Sequence, residues 1–315
     1  MKTSDRVIAL GFFDGMHIGH SALLTRVIEI SGKTGFVPSV ITFDTHPMSF
    51  ISGNSLPLIT SYEDRIGLIR RMYGIDDVIL LRFDKQTAEM PWDAFIDYLL
   101  SEFGARHLVA GYDFRFGSGG QGAPDRLVKK CAESGIGCDI IPEVRYNGVT
   151  VSSTQIRELI ANGELDLANK LLGHPHVLTG TVLSGIRLGR TLGVPTINMR
   201  FEDGVVVPSF GVYAARVCIG SDSFVGVSNI GVRPTVDNSG QITAETHILD
   251  YSGDLYGQKV LIEFHKYLRP EVKFSELDEL SAQIRRDSIN AQQYFERLSA
   301  PDFLHISGNL CVSGD

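Results

Sequence analysis

Residues 7–20 read VIALGFFDGMHIGH, an apolar run followed by a glycine-rich turn that carries an aspartate and two histidines. The run at 7–10 has the composition of a short buried strand. Residues 21–30 then place Leu23, Leu24, Val27 and Ile28 on one face of a helix. A strand that ends in a glycine turn and leads into a helix is the first half of a βαβ unit. This stretch therefore predicts the start of a parallel α/β sheet.

The same alternation continues through the first half of the chain. Apolar runs that predict strands alternate with amphipathic stretches that predict helices. The expected strands are 7–10, 37–43, 78–82, 107–111 and 138–142, and the expected helices are 21–30, 62–72, 92–103 and 124–134. This pattern favours a doubly wound parallel sheet.

The pattern changes after residue 175. Between 177 and 267 the runs are rich in Val, Ile, Thr, Phe and Tyr and are separated by Gly, Asp, Asn and Ser, which is typical of a small antiparallel β-barrel. Residues 275–298 predict a C-terminal helix with Ser275 as its cap and an apolar stripe of Leu277, Leu280 and Ile284.

The length of 315 residues favours two domains. Residues 164–175 predict a short helix that Gly173 and Pro175 terminate. We therefore expect a first domain at 1–173, a second at 174–300 and a flexible tail at 301–315.

The charge and the apolar runs limit the possible partners and compartments. With 29 Lys and Arg against 37 Asp and Glu, the chain lacks the basic excess of a nucleic-acid binder. No apolar stretch approaches the roughly 18 residues of a membrane span. The four cysteines show no metal-type pairing, and the N-terminal residues lack a signal-peptide pattern. We expect a cytoplasmic protein with neither a nucleic acid nor a membrane as partner; the oligomeric state stays open.

His17 and His20 indicate chemistry at the end of the first strand. A helix that starts there directs unsatisfied N–H groups and a positive dipole end at the sheet edge, where phosphate commonly binds. If the helix starts near Met16, both imidazoles share one face and reach one ligand. The alternative is a pair of surface histidines beside an ordinary turn.

GFFDGMHIGH resembles the HxGH signature of nucleotidylyltransferases and the first motif of bacterial FAD synthetases. Three later segments also resemble motifs of that family: TFDTHP at 42–47, GYDFRFG at 111–117 and SSTQIR at 152–157. The resemblance implies a Rossmann-like domain in which His17 and His20 are catalytic. It implies nucleotide or phosphate contacts for Gly11, Phe12, Asp14, Gly15, His46, Ser153, Thr154 and Arg157, and flavin contacts for Asp113 and Phe114.

Two features depart from the family pattern. Phe12 stands where Asn is more common, and the loop GSGGQGAPDRL after Phe116 lacks the usual basic residue and Gly-Asp ending. The first bears on packing of the turn, and the second bears on substrate contacts in that loop.

Residues 180–198, GTVLSGIRLGRTLGVPTIN, resemble the flavokinase signature GRxLGxPTxN, with Ile197 where Ala is usual. Thr196 and Asn198 lie two apart on an extended segment, so they offer hard oxygen ligands for Mg²⁺ on one face. The family implies that Glu245 is the base for the substrate hydroxyl. Arg269 and Glu271 are expected to close over the flavin on a loop, and surface ion pairing is the alternative explanation for these two residues. Phosphate contacts are expected at Gly185, Gly189, Arg190, Thr196 and Asn198.

Together the two resemblances imply a bifunctional enzyme of the prokaryotic FAD synthetase family. It would phosphorylate riboflavin to FMN in a flavokinase-like C-terminal barrel and adenylylate FMN to FAD in the N-terminal domain, with ATP as co-substrate and Mg²⁺ as cofactor. Two alternatives remain: a cytidylyltransferase that acts on small phosphoesters, and a flavin-binding module that has lost catalysis.

Overall fold

The computed structural model describes residues 4–183, 195–232 and 241–298. The chain divides into two compact units. The first comprises Met1–Pro57 and Arg65–Ser153, and the second comprises Leu58–Asp64 and Thr154–Asp315.

The first unit contains a five-stranded parallel sheet with the strand order β3-β2-β1-β4-β5. Its strands are β1 (Arg6–Leu10), β2 (Val37–Phe43), β3 (Asp77–Leu81), β4 (Ala105–Gly111) and β5 (Gly137–Ile141). The chain builds outward from β1 to β3 and then returns to the other side of β1. The carboxyl end of β1 is therefore the topological switch point, where ligands bind in sheets of this kind. The predicted parallel α/β fold is confirmed.

Helices connect these strands. They are α1 (Ile18–Thr34), α2 (Pro47–Ser52), α3 (Tyr62–Tyr73), α4 (Lys85–Glu89), α5 (Trp92–Phe103) and α6 (Pro124–Glu133), followed by the hairpin β6 (Arg145–Tyr146) and β7 (Val149–Thr150). The helices α2 and α4 were not predicted, because six and five residues are too few to display a helical period.

The core of the first unit surrounds β1. Val7, Ile8 and Ala9 have no exposed surface, because the central strand of a parallel sheet is covered on both faces. The continuous apolar run 7–10 is the sequence counterpart of that burial.

The second unit is built on a six-stranded antiparallel sheet with the order β8-β13-β10-β11-β12-β9. Its strands are β8 (His176–Thr181), β9 (Thr196–Arg200), β10 (Gly211–Ile219), β11 (Asp222–Val232), β12 (Ile242–Ile248) and β13 (Lys259–Arg269), and its helices are α7 (Ser153–Ala161), α8 (Leu165–Leu172) and α9 (Leu277–Leu298). Leu183, just after β8, bridges to Asn198 on β9. The sheet therefore curls until its two outer strands meet, and the predicted antiparallel barrel is confirmed.

The helix α9 packs differently from its predicted stripe. Its buried side chains are Asp287, Ala291 and Phe295, whereas Leu277 is 60% exposed. Ala291 and Phe295, in the C-terminal half of α9, share a core cluster with residues of β10 and β11. The fully buried face therefore begins at Asp287, about three turns after Leu277. Among the helices of the described ranges, none is long and apolar enough to cross a membrane.

The helix α8 belongs to the second compact unit, whose main segment begins at Thr154. The side chain of Asn169 on α8 donates to the carbonyl of Phe264 at 2.9 Å and accepts from the backbone N–H of His176 at 2.9 Å. These bonds fix α8 on β8 and β13, so this helix packs with the barrel.

Candidate functional site

The turn after β1 adopts an unusual backbone conformation. Phe13 and Met16 have φ of 60° and 45°, in the left-handed region that side chains other than glycine rarely occupy, and Gly15 between them has φ of 77°. Both side chains have no exposed surface. Burial of two large apolar side chains offsets the cost of such a turn, and strained turns of this kind occur at functional sites.

His17 is the N-cap of α1, which begins at Ile18 rather than near Met16. Its Nδ1 accepts from the backbone N–H of His20 at 3.3 Å. An accepting Nδ1 places the ring proton on Nε2. A Cβ at Gly19 would lie 3.0 Å from the His17 ring, so the glycine makes room for the imidazole across the first turn.

The rings of His17 and His20 lie together at this helix start. They stack with centroids 3.6 Å apart and planes 15° apart. Burial first, then the charge of His17 and that of Arg65, hold the pKa of His20 well below its usual range. The Nδ1 of His20 is buried, and no described residue hydrogen-bonds it. The two rings therefore stack at the N-terminus of α1 with His20 in its neutral form.

His46 follows β2 at the same sheet edge. It caps α2, and its Nδ1 accepts from the backbone N–H of Met48 at 3.1 Å. Its ring packs edge-on against Phe12 with centroids 4.5 Å apart. The first and second motifs are thus in contact, and the cap again assigns the ring proton to Nε2.

Ser153 joins the fourth motif to the first. Its Oγ donates to the carbonyl oxygen of Asp14 at 3.0 Å. Thr154 and Arg157 follow on α7 and belong to the second compact unit.

Asp113 and Phe114 follow β4, the other neighbour of β1. Asp113 is exposed, while the ring of Phe114 stacks on Phe116 with centroids 5.4 Å apart and packs against the hydrophobic core. Asp113 therefore lies exposed just beyond the carboxyl end of β4, and Phe114 packs against the core.

The second unit contains a cavity of about 240 Å³ between the curled sheet and α9. Apolar side chains and several polar groups line it: Thr196, Val212, Val227, Asn229, Glu245, His247, Arg269, Glu271, Val272, Phe274, Leu280, Ile284 and Asp287. A largely apolar cavity with a few converging polar groups is the usual form of a small-molecule site.

The polar end of this cavity lies on β9 and β12. Glu245 pairs with Asn198 across the two strands, and Thr196 Oγ1 donates to Glu245 Oε1 at 2.8 Å. Alternation places Thr196 and Asn198 on one face of β9. Hydroxyl and amide oxygens are hard donors of the kind that Mg²⁺ binds. The donor set therefore fits Mg²⁺.

His247 holds the start of β9 in place beside this site. Its Nδ1 lies 3.0 Å from the carbonyl oxygen of Pro195, so it donates to the residue just before Thr196. Among the residues that the structure describes, no group of three or more His, Cys, Asp or Glu side chains could hold a metal ion.

Arg269 and Glu271 both line the cavity, and each has a partner. Arg269 forms a two-pronged ion pair with Asp287 of α9, with nitrogen–oxygen distances of 2.8 to 3.1 Å. Glu271 accepts from Asn229 at 2.7 Å. The ion pair ties the end of β13 to the helix that covers the cavity.

The sequence did not assign roles to Asn229 or Asp287. Asn229 lies in an apolar strand, where a polar residue could have indicated a functional position. No such sequence signal marks Asp287, because an acidic residue in a charged helix is usually exposed to solvent. The predicted phosphate residues Gly185, Gly189 and Arg190 lie outside the described residues.

Comparison with known proteins identifies two family regions. Residues 1–155 match the family described as FAD synthetase, and residues 172–295 match the family described as riboflavin kinase. A solved structure titled macrolide-efflux protein, from Streptococcus pneumoniae, superposes with a TM-score of 0.80 and 30% identity, covering 93% of this chain and 95% of that one.

Whole-length relatives show the same arrangement. A Listeria monocytogenes protein named bifunctional riboflavin kinase/FMN adenylyltransferase is 34% identical over 93% of this chain and 94% of its own length. An Escherichia coli protein of the same name is 38% identical over 92% of each chain. The chain belongs to the bifunctional riboflavin kinase/FMN adenylyltransferase family.

Proposed function

We propose that this chain makes FMN from riboflavin in its barrel and FAD from FMN in its α/β unit, consuming one ATP in each step. The order of the two matched family regions supports this assignment. The observation that carries it is that one chain holds both a stacked His17–His20 pair at a switch point and a Thr196–Glu245 pair that lines a partly open cavity.

In the kinase step the riboflavin 5'-hydroxyl oxygen attacks the γ-phosphorus of ATP, and the bond to the β-phosphate oxygen breaks to release ADP. Glu245 receives the hydroxyl proton. The Thr196 hydroxyl orients this carboxylate through its hydrogen bond. Positioning and charge stabilisation provide most of the rate in such transfers.

Thr196 and Asn198 would hold Mg²⁺ through their side-chain oxygens. When bound, the ion would neutralise charge on the ATP phosphates. The flavin ring would occupy the apolar part of the cavity, with Arg269 and Glu271 at its rim and Val227 in its lining.

In the adenylylation step an FMN phosphate oxygen attacks the α-phosphorus of a second ATP, and pyrophosphate leaves. His17 and His46 would donate Nε2–H bonds to the phosphates, since both caps assign the ring proton to that nitrogen. His20 would contact the same phosphates beside them. Donors placed where negative charge develops lower the barrier. Gly11, Phe12, Asp14 and Gly15 would form the turn that holds this nucleotide.

Ser153, Thr154 and Arg157 would grip the triphosphate at the start of α7. Asp113 would contact the flavin at the β4 edge, with Phe114 beside it. The cytoplasm is the compartment we propose, because both steps consume ATP.

The two alternative functions lack comparable support. A cytidylyltransferase would have no use for the kinase cavity, and a binding module would have no need for the Thr196–Glu245 pair.

The test is chromatography of the products after the purified protein is incubated with riboflavin, ATP and Mg²⁺. FMN and FAD together support both activities, FMN alone removes adenylylation, and neither product removes the proposal. Glu245→Ala should abolish FMN formation but still convert supplied FMN to FAD. His20→Ala should form FMN from riboflavin but fail to convert FMN to FAD. Equal loss of both steps in a folded variant would contradict the assignment of the two reactions to separate units.

A further inference from the structure

Among the residues that the structure describes, Arg65 is the largest side chain that is almost completely buried. It lies on α3 and is 1% exposed. Moving a guanidinium from water into a protein interior is costly unless its donors are satisfied. The partners that compensate this cost indicate what the residue does.

The guanidinium donates to two backbone carbonyls at the switch-point edge. Nη1 lies 3.1 Å from the carbonyl oxygen of Phe12, and Nη2 lies 2.9 Å from that of Phe43. Its central carbon also lies 4.2 Å from the centre of the Phe12 ring. One planar group therefore joins the residue after β1 to the last residue of β2.

These two anchor points lead directly to the three histidines. Phe12 opens the strained turn that ends at His17, and Phe43 is three residues before His46. The Phe12 ring also packs on His46, and Thr42 Oγ1 donates to the same Phe12 carbonyl at 2.9 Å. A shift of Phe12 would therefore move both motifs.

The shape of arginine matters here as well as its charge. A rigid fork donates in two directions at once, whereas a lysine ammonium is a point charge on a flexible stem. Arg70 lies on the same helix but is exposed to solvent, unlike the buried Arg65.

We propose that Arg65 is a positioning residue for adenylyl transfer, which holds the ends of β1 and β2 at the separation that directs His17 and His46 at the same phosphates. This inference rests on the proposed adenylylation activity. Arg65 acts through the Phe12 and Phe43 carbonyls and does not itself contact the reacting atoms.

The test compares Arg65→Met with Arg70→Met, a matched change at an exposed position of α3. We expect Arg65→Met to lower kcat for FAD formation about 100-fold, the size of effect that misplacement of catalytic groups by about 1 Å produces. KM for FMN and ATP should change by less than about threefold, because the variant loses stabilisation of the transition state and not binding of the substrates. Riboflavin phosphorylation by the same variant should be unchanged.

Two outcomes overturn the proposal. The first is that Arg65→Met forms FAD with a kcat within about threefold of that of the parent enzyme, because no transition-state interaction would then have been lost. The other is a parallel loss of both activities, which would make Arg65 a general stability residue. If Arg65→Met does not fold, Arg65→Lys carries the same test, because lysine keeps the charge but not the two-way donation.

A second measurement does not depend on activity. Amide hydrogen exchange at His20 and Met48 reports the two histidine caps. Faster exchange at both amides in Arg65→Met, with barrel amides unchanged, supports the positioning role, and unchanged exchange overturns it. If the parent enzyme makes no FAD, the proposed function fails while this measurement still decides the role of Arg65.

Discussion

The imidazole rings of His17 and His20 stack face to face, with centroids 3.6 Å apart and planes 15° apart. Two charged imidazoles would repel at this distance. Burial and the neighbouring positive charges keep the pKa of His20 low, so the pair holds together with His20 neutral. The stack explains why a capping histidine and a second histidine three residues later occur on the same turn.

His17 has two separable roles, as a helix cap and as a proposed phosphate donor. Asparagine caps helices well but lacks an imidazole. His17→Asn should therefore keep the melting temperature of the parent enzyme while kcat for FAD formation falls about 100-fold, the typical effect of losing one such donor. Parallel assays of FMN formation provide the control. Full adenylylation by a folded His17→Asn would remove the donor role.

Thr196 is proposed to act through its hydroxyl group alone. Thr196→Val keeps the shape of the side chain but removes the hydrogen bond to Glu245 and one Mg²⁺ ligand. We expect kcat for FMN formation to fall about 100-fold, again the effect of losing one group that acts in the transition state, and half-saturation to require more Mg²⁺. Thr196→Ser should retain most activity. Equal Mg²⁺ dependence in Thr196→Val and the parent enzyme would contradict the metal assignment.

The parts of the structure that the sequence predicts are those governed by local patterns. The run at 7–10 predicts β1, because continuous apolar residues match a strand buried on both faces.

Other features depend on contacts between residues far apart in the chain. Leu58 bridges to Val205, and Asp64 accepts from the backbone N–H of Thr179 at 3.0 Å, so the segment 58–64 belongs to the barrel unit. No local pattern indicates this. The left-handed conformation of Phe13 is equally hidden, because its buried side chain and not its sequence neighbours stabilise it.

The Arg269–Asp287 ion pair is expected to hold α9 over the cavity that we propose for the flavin. Asp287 is 2% exposed, so Asp287→Asn leaves Arg269 without its counter-charge and should lower the melting temperature. We expect KM for riboflavin to rise about tenfold while adenylylation of FMN is unchanged, since the loss concerns binding more than chemistry.

The double variant Arg269→Met/Asp287→Leu separates stability from binding. Replacing both members of a buried pair with apolar residues is often neutral for stability. This variant should therefore recover the melting temperature but keep the raised KM, because Arg269 lines the cavity. Recovery of both properties would show that Arg269 contributes only through the ion pair.

His176 should make the protein sensitive to acid. The residue is 1% exposed, and its ring nitrogens have no hydrogen-bonding partner among the described residues. Burial first, and then His174, lower the pKa of His176 from 6.5 to about 3. In the folded state the ring therefore stays neutral well below the pH at which the unfolded chain takes up a proton.

The sign of the effect follows from proton uptake. Below about pH 6.5 the unfolded state binds a proton at His176 that the folded state does not, so the stability present above that pH is lost as the pH falls towards 3. The contribution to the slope is at most about 1.4 kcal/mol per pH unit for one group. His176→Leu removes the titrating group, so urea unfolding between pH 7 and pH 4 should show a shallower decline than in the parent enzyme. Comparing slopes avoids the change in packing that the substitution itself causes. Equal slopes in the two proteins would mean that His176 is already protonated, or hydrogen-bonded to water, in the folded state.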